Sequence, residues 1–234
     1  MFQIKGMHVS DNRFHTYRPA DGHGLRHDPL NAIVGPRPIG WIATVNEQGA
    51  SNLAPYSFFN VFNYTPPIIG FSSTGWKDTV RNAEKTGEFV WNLVTRSLVD
   101  RMNLSSASFD KQMDEFDVAR LEKIPSCLVR PPRVAASPVQ FECRVTQIVQ
   151  LQDTSGRSLE TWLTLGEVVA IHIERAFLHD GIYDTLAARP VLRAGGPGGY
   201  SELKEDSLFD LRRPVSPAAA LAEGITLPVL PTKS

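Results

Sequence analysis

Proline and glycine, 17 of each in 234 residues, cut this chain into short runs, and few of the intervals could hold a long helix. What fills those intervals is largely β-branched and aromatic. Ile39 to Val45 (IGWIATV) is followed by Asn46-Glu47-Gln48-Gly49, which has turn chemistry, and then by Ser51 to Phe59 at hairpin distance. Pro66-Pro67 stops the chain before a short strand at Ile68 to Ser72, and Glu88 to Val94 (EFVWNLV) predicts another. Phe141, Cys143 and Val145 alternate with Glu142, Arg144 and Thr146, the period of a half-buried strand. Trp162 to Ile173 predicts a last long strand with a bulge at Gly166.

Helical signals are fewer. Asp78 to Lys85 opens on capping residues and is followed by Gly87, where a left-handed residue ends helices; Ser97 to Ser106 is a second candidate. At least six short strands with few helices predict an antiparallel barrel, closed or nearly so, because a parallel sheet needs a helix after nearly every strand.

The charge balance, 24 basic against 25 acidic side chains, lacks the basic excess that nucleic acid or an anionic membrane demands. No apolar run is long enough to span a bilayer, and the first residues lack an apolar signal core, so the expectation is a cytoplasmic protein. Cys127 and Cys143 have no Cys-x-x-Cys spacing and read as two reduced thiols, Cys143 as a buried hydrophobe. Four histidines (His8, His15, His23, His27) crowd the first 27 residues, but Gly22 and Gly24 oppose the helix that His23-x-x-x-His27 would need as a chelate, and no metal is expected. Gly195 onward is Gly-, Pro- and Ala-rich and reads as an arm. The chain therefore divides into an extension (1–27), a core domain (28–194) and a C-terminal arm (195–234).

Nucleophile elbows, zinc-protease helices and Walker loops are missing. Gly196-Pro197-Gly198-Gly199 has glycines in quantity, yet it does not open a helix between parallel strands and reads as a turn. Two segments carry more chemistry. Ser72 to Thr79 (SSTGWKDT) leaves a strand with four hydroxyls and a lysine and runs into the helix at Asp78. Helix N-termini expose unpaired amide donors and partial positive charge, which suits a phosphate monoester, with Lys77, Ser73 and Thr79 as further donors; the same residues could also simply cap the helix. Asn52 to Phe59 (NLAPYSFF) has proline mid-strand, which argues against a central place in a ladder. Its small Ala54 and Pro55 offer a surface for a flat ring, with Asn52 and Ser57 for the ring's polar edge; an aromatic core strand at a sheet edge is the other reading.

Taken together, NAIVGPRPIGWIATVNEQGASNLAPYSFFNVFNYTPPIIGFSS, KDTVRNAEKTGEFVWNLV and PPRVAASPVQFECRV, with Gly166-Glu167-Val168, His179-Asp180-Gly181 and Pro190 to Arg193, resemble the flavin reductase-like, FMN-binding split-barrel family. That family includes reductase components of two-component monooxygenases and related ferric reductases, and the likeness covers about residues 28–200. The resemblance implies a six-stranded antiparallel Greek-key split barrel that forms a homodimer and holds FMN near the subunit interface. It implies that Ser73, Lys77, Asp78 and Thr79 serve the phosphate, and that Asn52, Ala54, Pro55, Tyr56 and Ser57 line the flavin with Thr44 on the strand beside them. His179 matches a histidine near the exposed side of the flavin, where nicotinamide would stack. SSTGWKDT is longer than in the smaller reductases, and the tail after Gly195 is extra.

The expected activity is an oxidoreductase in which NAD(P)H delivers hydride to FMN, for a diffusible acceptor or a flavin-dependent monooxygenase partner. An FMN-binding electron carrier or sensor without NAD(P)H turnover is the alternative. A phosphate-cofactor oxidase of the pyridoxamine phosphate kind fits less well, since only Arg37, Lys77 and Arg81 could form its second phosphate site.

Overall fold

Asn46 closes the first hairpin: its carboxamide oxygen accepts the N–H groups of Gln48 and Ala50, at 3.0 and 2.8 Å. This aligns strand β1 (Gly40–Val45) with β2 (Ser51–Tyr56), antiparallel, with Gly40 opposite Tyr56 and Val45 opposite Ser51. The structure, a computed structural model, describes residues 13–107, 109, 113–211, 213–216 and 218. The further strands are β3 (Phe59–Tyr64), β4 (Pro67–Thr74), β5 (Glu88–Asn92), β6 (Val139–Gln152) and β7 (Ser158–Ile173). They form one antiparallel sheet in the order β2-β1-β5-β6-β7-β4-β3.

The protein is mostly β with few helices, as the sequence predicts, but this sheet has seven strands where the resemblance implies six. The run Ser51 to Phe59 accounts for part of the difference. It breaks at Ser57-Phe58, where the Phe58 carbonyl accepts the Ser72 N–H at 2.8 Å, and the chain continues as a second strand on β4. β2 and β3 are the two outermost strands and do not pair with each other among the described residues. Pro55, which has no N–H to donate, thus lies in an edge strand.

Gly166 does mark a bulge, since the β6–β7 register shifts between Leu165 and Gly166. A Cβ at this position would sit 2.4 Å from the Phe89 ring, so the glycine allows β5 and β7 to close on one aromatic side chain. Gly195 to Gly199 is a hairpin turn, as expected, joining Val191–Gly195 to Gly199–Glu202; Arg37–Pro38 completes a three-stranded sheet. Arg193 holds this turn by donating to the carbonyls of Gly195, Gly196 and Gly199.

Helix α1 (Asp78–Thr86) ends at Gly87, whose φ of 72° is the left-handed conformation the sequence predicts. Helix α2 (Val99–Leu104) lies inside the predicted Ser97 to Ser106, and a single turn, α3 (Glu115–Val118), follows. Two apolar clusters form the core, one around Trp41, Leu53, Met102 and Phe116, the other around Ile42, Phe71, Phe89 and Cys143. β1 separates them, sending Trp41 and Ala43 into one and Ile42 into the other, which is why all six of its residues are buried. No helix among the described residues is long and apolar enough to cross a membrane. Residues 22–27 form no helix; His23 Nδ1 instead accepts the Leu25 N–H. His8 lies outside the described residues. Leu203 begins a second unit, in which a 3-10 turn spans Glu205–Ser207.

Candidate functional site

The site is built on the first turn of α1. After β4, Gly75 at φ 90° redirects the chain, and Lys77 enters the N-cap position in an extended conformation. The Arg81 N–H is the first to bond a helical carbonyl, that of Lys77 at 3.0 Å. The amides of Asp78, Thr79 and Val80 precede this ladder, and the N-cap side chain does not cap them. Helical dipoles concentrate partial positive charge here. Lys77 adds a full charge and makes no ion pair among the described residues, whereas Asp78 is paired with Arg81 one turn on.

One wall is the edge strand β2. Asn52 donates from Nδ2 to Thr79 Oγ1 at 2.9 Å and leans on Thr44 Oγ1 at 3.4 Å; Asn82 donates to the same Thr44 oxygen at 3.2 Å. These bonds fix the spacing between strand and helix. Beyond Asn52, Ala54 and Pro55 give a low surface without polar side chains. Tyr56 closes this end, with a buried hydroxyl beside those of Thr79 and Ser73 that makes no hydrogen bond of regular geometry. Burial raises its pKa, against the opposing pull of those two hydroxyls.

The opposite wall comes from the chain around α2 and α3. Asp114 accepts from Ser51 Oγ and Lys123 Nζ, both at 2.5 Å, and caps α3 through the Phe116 N–H. Glu115 accepts the Leu53 N–H at 3.1 Å. These contacts pin the segment to β2, so that Ser105, Ser106, Ala107, Phe109 and Glu115 face Asn52, Ala54, Pro55, Tyr56, Lys77, Asp78 and Thr79 across a cleft of ≈ 380 Å³. That volume lies within the range of small-molecule sites, about 300–1,000 Å³. Burial raises the Glu115 pKa, with the Asp114 and Asp78 carboxylates adding to the effect.

Seven of the predicted site residues therefore meet in one cleft: Asn52, Ala54, Pro55, Tyr56, Lys77, Asp78 and Thr79. Four do not line it. Thr44 is fully buried beneath Asn52 and Asn82 and supports them. Ser73 is also buried and spends its hydroxyl on the Gly75 carbonyl at 2.9 Å. Ser57 sits at the corner between β2 and β3, its carbonyl accepting from Arg37 Nε. His179 is exposed on a small hairpin with Ile182–Tyr183, its Nε2 3.8 Å from the Asp184 carboxylate. Phe109, Arg81 and Glu115 were not anticipated as wall residues. In the sequence Arg81 reads only as a basic neighbour, and nothing local places Phe109 or Glu115 against β2.

The model of the flavin reductase like domain family matches residues 35–187. An uncharacterised protein of Halalkalibacterium halodurans is 36% identical over 192 residues, 79% of this chain and 89% of that protein. Among solved structures, nitrilotriacetate monooxygenase component B from Bacillus cereus superposes with a TM-score of 0.71 at 31% identity, over 78% of this chain and 90% of that one. The 2-nitrobenzoate 2-nitroreductase of Pseudomonas fluorescens gives 0.68 at 28% identity, over 80% and 89%. With its family model spanning well over half of the sequence, this chain belongs to the flavin reductase-like family.

Proposed function

We propose that the cleft between β2 and the first turn of α1 binds FMN, and that the protein is an NAD(P)H-dependent flavin reductase of the split-barrel type. What carries the reading is the uncapped N-terminus of α1 with Lys77 beside it, facing Asn52 and the low Ala54-Pro55 surface. Those groups fit the two ends of such a ligand. The amides of Asp78 to Val80, Lys77 and Thr79 would take the phosphate, and Ala54 and Pro55 would lie against the ring with Asn52 at its polar edge. Pairing of Asp78 with Arg81 reduces repulsion of an anion.

When bound, FMN supplies the two-electron chemistry, taking hydride from reduced nicotinamide and passing electrons to a diffusible acceptor or a monooxygenase. The chain's own part is to bind, orient and exclude water. Asn52 and Thr44 hold the wall in place, the Tyr56 ring closes one end of it, and Phe109 shields the opposite side. The two solved relatives, one a monooxygenase component and one a nitroreductase, support a redox role with differing acceptors.

A homodimer belongs to this reading. Edge strand β3 exposes Val61, Phe62 and Tyr64, the last 90% accessible, and an unpaired apolar edge is a natural surface for a second copy. His179 stands outside the cleft of its own chain, so a part for it beside nicotinamide requires the second protomer. Sedimentation at twice the chain mass is expected, and a monomer would remove both points.

The decisive functional test is anaerobic. FMN-loaded protein is mixed with NADH or NADPH and the flavin absorbance followed; bleaching over many turnovers is expected. Persistent colour with tight FMN binding would mean a carrier or sensor without nicotinamide turnover.

A further inference from the structure

A second group of side chains converges where β6 and β7 meet the loop carrying Cys127. Glu142, on β6, is fully buried. Its Oε1 accepts from the Cys127 N–H and from His172 Nε2, both at 2.7 Å, and its Oε2 accepts the Leu128 N–H at 2.6 Å. The Cys127 sulfur, a Glu142 oxygen and a His172 ring nitrogen all lie within 4.8 Å of one another. We propose that these three side chains bind one divalent transition-metal ion of the zinc type, a site separate from the flavin cleft and independent of it.

The donor chemistry selects the class of ion. Thiolate, imidazole and carboxylate together suit zinc and its borderline-soft neighbours, whereas magnesium and calcium take oxygen ligands almost alone. Donors of this kind bind zinc at about 2.0–2.3 Å, which places tetrahedral ligand atoms about 3.3–3.6 Å apart. The His172 nitrogen is closer than that to Glu142, so its ring must swing outward. It has room to do so, since its side chain is 24% accessible and borders a hollow of ≈ 470 Å³ with Arg133, Gln140 and Glu174. Glu142 itself is held by two loop amides, which act as a preformed outer shell for a ligating carboxylate. On binding, the Cys127 thiol gives its proton to solvent, and the neutral His172 ring carries its one proton on Nδ1, which frees the Nε2 lone pair for the ion. Three protein ligands leave a fourth position for water from the hollow. The ion would lock the Cys127 loop to the sheet. Positions 127, 142 and 172 form no linear motif, which is why the sequence gives no hint of it.

The test uses full-length FMN-treated protein, titrated with Zn²⁺ by calorimetry and with Co²⁺ by absorption to the red of the flavin bands. One ion per chain is expected, with the intense ligand-field bands of tetrahedral Co²⁺. Cys127→Ser keeps the loop amide on Glu142 and replaces an exposed thiol, so the fold is retained. It should weaken Zn²⁺ binding by about tenfold or more and shift the Co²⁺ bands, and His172→Gln should weaken binding comparably. Absence of saturable binding, or equal affinity in wild type and Cys127→Ser, would overturn the proposal; the latter would place the ion elsewhere, as on the N-terminal histidines.

Discussion

The Asn52 carboxamide donates to Thr79 Oγ1 at 2.9 Å, so the outermost strand of the sheet is tied to the turn of helix proposed to meet the phosphate. The wall for the ring and the donors for the phosphate are thereby held at a set distance. Asn52→Ala removes that link and leaves Thr44 with Asn82 alone. We expect it to cost about 1 kcal/mol of stability, read from the urea midpoint, together with weaker FMN binding. Weaker FMN binding with an unchanged midpoint would mean that the bond orients ligand groups without supporting the fold.

Lys77→Ala with Thr79→Ala removes one charged and one neutral donor from the phosphate end. FMN affinity, followed by quenching of flavin fluorescence, should fall by about 2–4 kcal/mol. Unchanged affinity would show that this turn only begins a helix.

Asp114 makes acid stability informative. Burial pushes its pKa up, but hydrogen bonds from Lys123, Ser51 and the Phe116 N–H outweigh that and hold it below its ordinary 3.8. A carboxylate depressed in the folded state contributes stability that is complete above the unfolded value and is lost as the pH falls through the folded one. Wild type should therefore exceed Asp114→Asn in urea stability at neutral pH, and the two should converge as the pH falls through the lowered folded-state pKa of Asp114. Parallel curves over the whole range would remove Asp114 as the clamp between the α3 segment and β2.

Much of this architecture is legible in local signals. Capping residues and Gly87 bracket α1, Asn46 with Gly49 marks the first hairpin, and Gly166 marks the bulge. The break at Ser57-Phe58 is not legible, because Ser57 stands alone as a turn residue among aromatics, with no glycine, proline or asparagine beside it, and Phe59 to Tyr64 places apolar residues on both faces. The resemblance implies Thr44 on the strand beside the flavin-lining one, but β1 is buried on both faces, and alternation cannot show which side meets a ligand. Phe109 and Glu115 come from a segment far along the chain, delivered by the Asp114–Ser51 and Glu115–Leu53 bonds, and no short-range pattern encodes those. The site's local half is readable from sequence; its long-range half requires the fold.

The claim on which the rest depends is that the first turn of α1 receives the phosphate of FMN. A crystal structure of the full-length protein grown with FMN tests it most directly. The phosphate is expected against the amides of Asp78, Thr79 and Val80 and the Lys77 ammonium, with the ring over Ala54 and Pro55. Flavin density seated elsewhere, with that turn facing only solvent, would contradict it.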